Sequence, residues 1–233
     1  MEGDPRTREP QYQMLIDLRR RRGIARLGLM VNESWQCDPR RTLFTLSRYK
    51  FVAKMLSGRK RVLEIGCADA FGTRIVQQEV GHVTAVDFDP LFVRDVHERM
   101  DPHWPMDCMV HDILDGPVPG RFDAAYCLDV IEHIAPEREN DFLSNVRASL
   151  DAHGVLIVGA PSLESQAHAS PQSRAGHVNC KGGQALKDLL AQHFENVFMF
   201  SMNDEVVHTG FFPMAHYLLA LCCTPRPFAA ARG

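Results

Sequence analysis

From Arg61 onward the chain alternates short apolar runs with amphipathic stretches. The runs Arg61–Ile65, His82–Asp87, Met106–Val110, Phe122–Cys127 and Val155–Gly159 predict strands. The stretches Gly72–Glu79, Pro90–Met100, Arg138–Leu150 and Gly183–His193 predict helices. Such alternation builds a parallel sheet with helices on both faces and right-handed crossovers. Two further strands are predicted at Asn196–Phe200 and Ala215–Leu221, with no helical pattern between them. A connection that short cannot make a parallel crossover, so one of the pair runs antiparallel. The expected fold is a doubly wound α/β sheet of seven strands, mostly parallel, with one antiparallel.

The first sixty residues read as helical. Gln11 to Leu29 carries Met14, Leu15, Leu18, Ile24 and Leu27 at helical spacing, with the arginine run Arg19 to Arg22 on a solvated face. Asp38-Pro39 supplies a capping acid and a first-turn proline, so a helix runs to Leu56, where Ser57-Gly58 ends it. Ala160 to Gly182 is different: it holds two prolines, four serines and two histidines with little periodicity. It follows the fifth strand's carboxyl end, on the ligand side of such a sheet, and a loop of that length is usually functional or disordered. These boundaries divide the chain into a helical extension or lid (1–58), a main domain (59–224) and a flexible tail (225–233), with fraying from Thr224.

Composition narrows the class without naming it. The 233 residues, 45% hydrophobic and 24% charged, suit one sizeable core plus an extension. A net charge of −3 gives no reason to expect nucleic acid or an anionic membrane as partner. Met1 to Pro10 lacks a signal-peptide pattern, and no apolar run approaches membrane-spanning length. Seven cysteines, none in a Cys-x-x-Cys pair, fit thiols in a reducing cytoplasm better than a disulfide framework. The arginine-rich first helix offers a surface for a homodimer.

The chemistry concentrates in Glu64-Ile65-Gly66-Cys67-Ala68-Asp69-Ala70-Phe71-Gly72 and in Asp87, the acid that ends the second strand. An acid before a glycine turn and a second acid one strand later predict a nucleotide-like ligand at two adjacent strand ends. The later glycines that bring backbone amides to a pyrophosphate are absent. A carboxylate at Glu64 would repel phosphate and suits a cationic ligand.

These residues resemble the class I S-adenosylmethionine-dependent methyltransferases, a family with a Rossmann-like fold. Glu64-Ile65-Gly66-Cys67 matches the first motif, with Ala68 and Ala70 standing where the family has glycines. Asp87 matches the acid that binds the ribose hydroxyls, and Asp112 in His111-Asp112-Ile113 the acid that receives the adenine amino group. Phe122 to Ile134 resembles the fourth strand and its following loop; Leu150 to Ile157 resembles the entry to the fifth, with Gly154 in the turn. Gly176-His177-Val178-Asn179 resembles a segment of the small-molecule members, of quinone-biosynthesis and sugar-modifying type. The resemblance spans about Arg61 to Leu221 and implies S-adenosylmethionine as cofactor. It places Glu64, Gly66, Cys67, Ala68, Asp87, Phe88, Asp112, Ile113, Leu128 and Asp129 around it, Phe88 against the adenine and Leu128 near the methionine end.

Methyl transfer to oxygen gains from a general base, and histidine suits neutral pH. His133, just after the fourth strand, is the expected base; His177, in the long loop, is an alternate base or a substrate contact. Glu132, His168 and His208 are further substrate-side candidates, and Asp129 or Glu132 would orient a histidine. Asp129, Glu132 and His133 are too local to define a metal cage, and no His/Cys ligand spacing appears, so no metal is expected. The expected activity is methylation of a hydroxyl on a sugar or other metabolite-like small molecule. Nitrogen and carbon acceptors stay open, as do a cofactor-binding partner without catalysis and a nicotinamide-dependent oxidoreductase on a related fold.

Overall fold

A computed structural model describes residues 6–228. The strands are β1 (Val62–Ile65), β2 (Val83–Asp87), β3 (Asp107–Val110), β4 (Phe122–Leu128), β5 (Leu150–Pro161), β6 (Phe194–Asn203), β7 (Val206–His208) and β8 (Tyr217–Pro225). They form one sheet in the order β3-β2-β1-β4-β5-β8-β6-β7. Strands β1 to β5 are mutually parallel; β8 runs antiparallel to both β5 and β6, and β7 antiparallel to β6. The order reverses between β1 and β4, which opens the ligand crevice at the carboxyl ends of these strands.

The helices are α1 (Gln13–Arg22), α2 (Leu29–Cys37), α3 (Pro39–Met55), α4 (Thr73–Val76), α5 (Pro90–Arg99), α6 (Glu139–Ser149), α7 (Pro171–Gly176) and α8 (Gly183–Ala191). On one face Phe142, Leu143 and Val146 of α6 and Leu186, Leu189 and Leu190 of α8 pack on Leu63, Ile65 and Leu156. On the other face Tyr49, Val52 and Leu56 of the α3 region and Val76 of α4 pack on Val62, Tyr126 and Ile157. Val93 and Val96 of α5 close the same face over Ala85, Cys67 and Cys108. The alternation of these side chains across β1 is the period-2 pattern that made the strand legible.

Six features differ from the sequence expectation. The sheet has eight strands, because Asp204 takes a left-handed turn (φ 50°) and folds the three-residue Val206–His208 back as an edge hairpin. Two strands therefore run against the rest. The first helical stretch breaks at Gly23 (φ 76°), whose left-handed conformation ends α1, and Gly28 then opens a separate α2. α4 is one turn long: Gly58 N–H bonds Glu79 O, and Gln77 Nε2 bonds Trp104 O and Pro105 O, which holds Gln77–Val80 as turns. β5 begins at Leu150, paired with Phe122, and a register shift carries it past Gly154. The long loop is largely ordered: β5 reaches Pro161, and α7 is capped by Ser170 Oγ accepting from Ser173 N. Thr224 belongs to β8, and Arg226 N bonds His193 O; the tail expectation for 229–233 lies outside the described residues. No helix of the described chain is long and apolar enough to cross a membrane.

Candidate functional site

The turn after β1 has a demanding backbone. Gly66 lies at φ 70°, and a Cβ there would fall 2.5 Å from Val130 Cγ2. Ala68 and Ala70 are held at φ 45° and 49°, a region L-residues other than glycine occupy at a cost of about 1 kcal/mol or more. The expected motif puts glycine at both positions, so this chain bears strain where the family pattern has none. What holds it is Asp87: Oδ2 accepts from Ala68 N at 2.8 Å, and Oδ1 from Asp89 N at 2.9 Å. Asp69 braces the turn from behind, accepting from Val31 N of α2 at 2.9 Å and from Phe71 N at 3.2 Å. Cys67 is buried in the α5-side cluster.

Glu64 is buried within the sheet, on the α3–α4 side. Its carboxylate accepts from the Tyr49 hydroxyl at 2.8 Å and from the Thr73 hydroxyl. Gly72 makes the first contact feasible, because any Cβ there would strike the Tyr49 ring at 2.3 Å. The Tyr126 hydroxyl faces Glu64 closely enough to favour its charge but completes no hydrogen bond of ordinary geometry. Burial dominates all three donors and raises the Glu64 pKa to about 7.

Asp87 and Asp112 stand at adjacent strand ends, since Asp87 pairs with Val110 in the sheet and His111 N bonds Asp87 O. Asp112 Oδ1 caps its own turn through Leu114 N at 2.8 Å, with Ile113 buried beside it. Phe88 is 71% exposed directly after Asp87. Asp89 caps α5 through Leu91 N, as its position before Pro90 predicts. Across the switch point, Leu128 ends β4, and Asp129 turns left-handed (φ 57°) with its N–H on Gly159 O.

Beyond the end of β4 a short turn, Ile131–His133, is tied to the segment after α7. Glu132 O accepts from both Val178 N and Asn179 N, which draws His177 back to the fourth strand. Glu132, His133 and His177 then present ligand-type atoms within 4.8 Å of one another. The imidazole centroids lie 5.1 Å apart. His133 Nδ1–H donates to Gly176 O at 2.8 Å, and His177 Nδ1–H to Gln166 Oε1 at 2.9 Å, because those oxygens only accept. Both Nε2 lone pairs are therefore free to take a proton or a cation. Burial, and then the neighbouring His133, lower the His177 pKa below its ordinary value, which keeps the ring neutral at pH 7. The Glu132 carboxyl is fully buried with neither oxygen hydrogen-bonded, and burial with Asp129 nearby pushes its pKa well above the carboxylate range. Chain separation had hidden this arrangement: three residues that look too local or too distant to form a cage meet once the loop folds back.

The structure does not bring the other two histidines here. His208 spends both ring nitrogens on its own hairpin, accepting from Gly210 N and donating to Asn203 Oδ1. His168 is exposed on the short helical turn Glu164–His168 and stands outside the cluster. Two residues escaped the sequence reading altogether. Arg48 of α3 bonds Asp129 Oδ2 at 2.6 Å and lies 3.8 Å over the Tyr217 ring. Its Nε and the Tyr217 hydroxyl are both buried without partners. A single arginine in an amphipathic helix, or a tyrosine opening an apolar strand, carries no signal that would separate either from packing.

Residues 62–154 match the model of a methyltransferase domain family. The mitochondrial ubiquinone biosynthesis O-methyltransferase of Schizosaccharomyces pombe is 25% identical over 145 residues, 58% of this chain and 52% of that protein. The ubiquinone biosynthesis O-methyltransferase of Xanthomonas campestris pv. campestris strain B100 is 27% identical over 118 residues, 48% of this chain and 49% of that one. The chain thus spans about half the length of these curated relatives. Among solved structures, the N-methyltransferase NodS from Bradyrhizobium japonicum WM9, in complex with S-adenosyl-L-homocysteine, superposes with a TM-score of 0.58 at 20% identity, covering 82% of this chain and 92% of NodS.

Proposed function

We propose, from the premise that this chain carries a class I S-adenosylmethionine-dependent methyltransferase domain, that it methylates a hydroxyl oxygen of a small-molecule acceptor. The observation that supports this reading is the pair of free Nε2 atoms, on His133 and His177, beside the end of β4. The donor set fits the cofactor. Two carboxylates at neighbouring strand ends suit ribose hydroxyls and an adenine amino group, and the exposed Phe88 ring suits an adenine face. Bound S-adenosylmethionine supplies a methyl group already activated on a sulfonium. Asp87 would hold the ribose, each of its oxygens keeping a lone pair after its backbone bond. Glu64, at a pKa of about 7, ionises more readily beside a cationic ligand.

As the acceptor oxygen bonds the methyl carbon, the carbon–sulfur bond would break with its electron pair going to sulfur, leaving S-adenosylhomocysteine, and His133 Nε2 would take the hydroxyl proton; His177 Nε2 stands ready to orient that hydroxyl. Much of the acceleration comes from alignment and exclusion of water, which α3 and the Ala160–Gly182 segment would provide. The buried, free thiols agree with a reducing compartment, and the cytoplasm is our reading of location.

One observation favours a second reading of the same pocket. The orphaned Glu132 carboxyl with two imidazole lone pairs is a donor set suited to a divalent cation, which would ionise Glu132 and bind the acceptor oxygen directly. The test is product analysis with catechol, sugar and amine acceptors, before and after chelator dialysis. The first reading predicts O-methyl products and turnover indifferent to chelation. Loss of turnover restored by added cation favours the second, and N-methyl products alone exclude both.

A further inference from the structure

A cavity lies behind the turn after β1, and neither His133 nor His177 lines it. It holds about 300 Å³ and is open to solvent. Its polar wall is made by Arg26 before α2, Arg74 of α4, Arg99 of α5, Asp69 and Asp101; Trp104, before β3, is its aromatic wall. The rest is apolar, with Ile75, Val96, Met100 and Met106 among the lining residues.

The arginines are not equivalent. Arg99 is satisfied, paired with Asp95 at 2.8 Å and bonded to Asp69 O at 2.5 Å. Arg74 lies over the Trp104 ring, its Cζ 3.2 Å from the centroid, and its Nη1 is buried without a hydrogen-bond partner. Burial, with Arg22 nearby, works against its charge, and only Asp101 opposes them. Arg26 gives Nη2 to the Glu98 backbone carbonyl at 2.7 Å. Among the described residues neither Arg26 nor Arg74 has a carboxylate at ion-pair distance.

The acids around them are engaged elsewhere. Asp69 accepts from Val31 N and Phe71 N; Asp95 takes Arg99 and Leu29 N; Asp101 takes the backbone and ring of His103. Among the residues that line the cavity, Arg26, Arg74 and Arg99 against Asp69 and Asp101 leave one positive charge over. A buried guanidinium edge with no partner is costly, and a planar carboxylate matches its fork.

We propose that this cavity binds a small amphiphilic monoanion, a carboxylate on an apolar body. At about 30 Å³ for each water-sized group, the volume accommodates roughly ten heavy atoms. The head group lies between Arg74 and Arg26, and the body runs along Ile75, Val96 and Met100. The single surplus charge favours a monoanion over a phosphate dianion.

The chain has two tryptophans, Trp35 and Trp104, and Trp35 is 56% exposed. Trp35→Phe therefore leaves Trp104 as the sole indole at little structural cost. Decanoate titrated into this variant is expected to give a saturable change in Trp104 emission. Calorimetric titration should show decanol binding at least tenfold more weakly, decyl phosphate no more tightly, and decanoate weakened at least tenfold by Arg74→Gln. Arg26→Gln removes only one surface hydrogen bond and gives the same test should Arg74→Gln fail to fold. Absence of saturation, equal affinity for decanol, tenfold tighter decyl phosphate, or affinity untouched by a folded arginine variant would overturn the assignment.

Discussion

Two residues of the cofactor turn show what this chain does differently from the pattern it resembles. Ala68 sits at φ 45°, partly exposed, with its N–H committed to Asp87. Relief of left-handed strain by glycine exceeds the extra chain entropy glycine loses on folding, so Ala68→Gly is expected to stabilise the protein by about 0.5–1 kcal/mol in denaturant titrations. Destabilisation of that size would mean the turn is not under strain. Glu64 makes a pH-dependent contribution of definite sign. Its folded pKa of about 7 lies above the ordinary carboxyl value of 4.5, so the folded state holds the proton more tightly. Stability from this group is complete below about pH 4.5 and is lost as pH rises to about 7, by an amount on the order of 3 kcal/mol. Glu64→Gln removes that loss. In cofactor-free protein, the melting temperature of the variant relative to the parent should rise between pH 5 and 7 and then level off; a difference that stays constant with pH would contradict the burial of an ionisable Glu64.

At the scale of elements, α3 couples the N-terminal extension to the site. Tyr49 reaches Glu64 through the space left by Gly72, and Arg48 reaches Asp129 and the Tyr217 ring. Arg48→Met leaves Asp129 unpaired beside the buried Glu132, and loss of about 2 kcal/mol in thermal or chemical unfolding is expected. An effect below about 0.5 kcal/mol would show that the ion pair is too solvated to matter. The legibility of these elements follows their physics. β1, β2 and β4 are buried on both faces, so their apolar runs stand out, and Asp38-Pro39 and Asp89-Pro90 mark helix starts by local capping alone. β7 is only three residues long and at an edge, and α4 is cut short by bonds from Gly58 and Gln77 to distant backbone, so neither boundary has a local cause. Likewise the positions of Glu64 inside β1 and of Asp87 and Asp112 at neighbouring strand ends follow from the strand pattern, whereas the meeting of His133 with His177 depends on where a loop returns.

The whole molecule places two differently furnished regions on the two sides of the switch point between β1 and β4. On the β1–β2–β3 side, carboxylates and an exposed aromatic ring suit a cationic nucleoside. On the β4–β5 side, two imidazoles with free Nε2 atoms and a buried carboxyl suit an acceptor that must lose a proton. That division of labour is the central claim, and it is tested by separating binding from chemistry in His133→Ala. The variant's affinity for S-adenosylhomocysteine and its single-turnover methyl transfer from S-adenosylmethionine to a catechol acceptor should be measured side by side. Affinity is expected to stay within about twofold of the parent while transfer falls by roughly 10²-fold or more. Transfer at the parental rate, with the cofactor still bound, would contradict the assignment of His133 as the base.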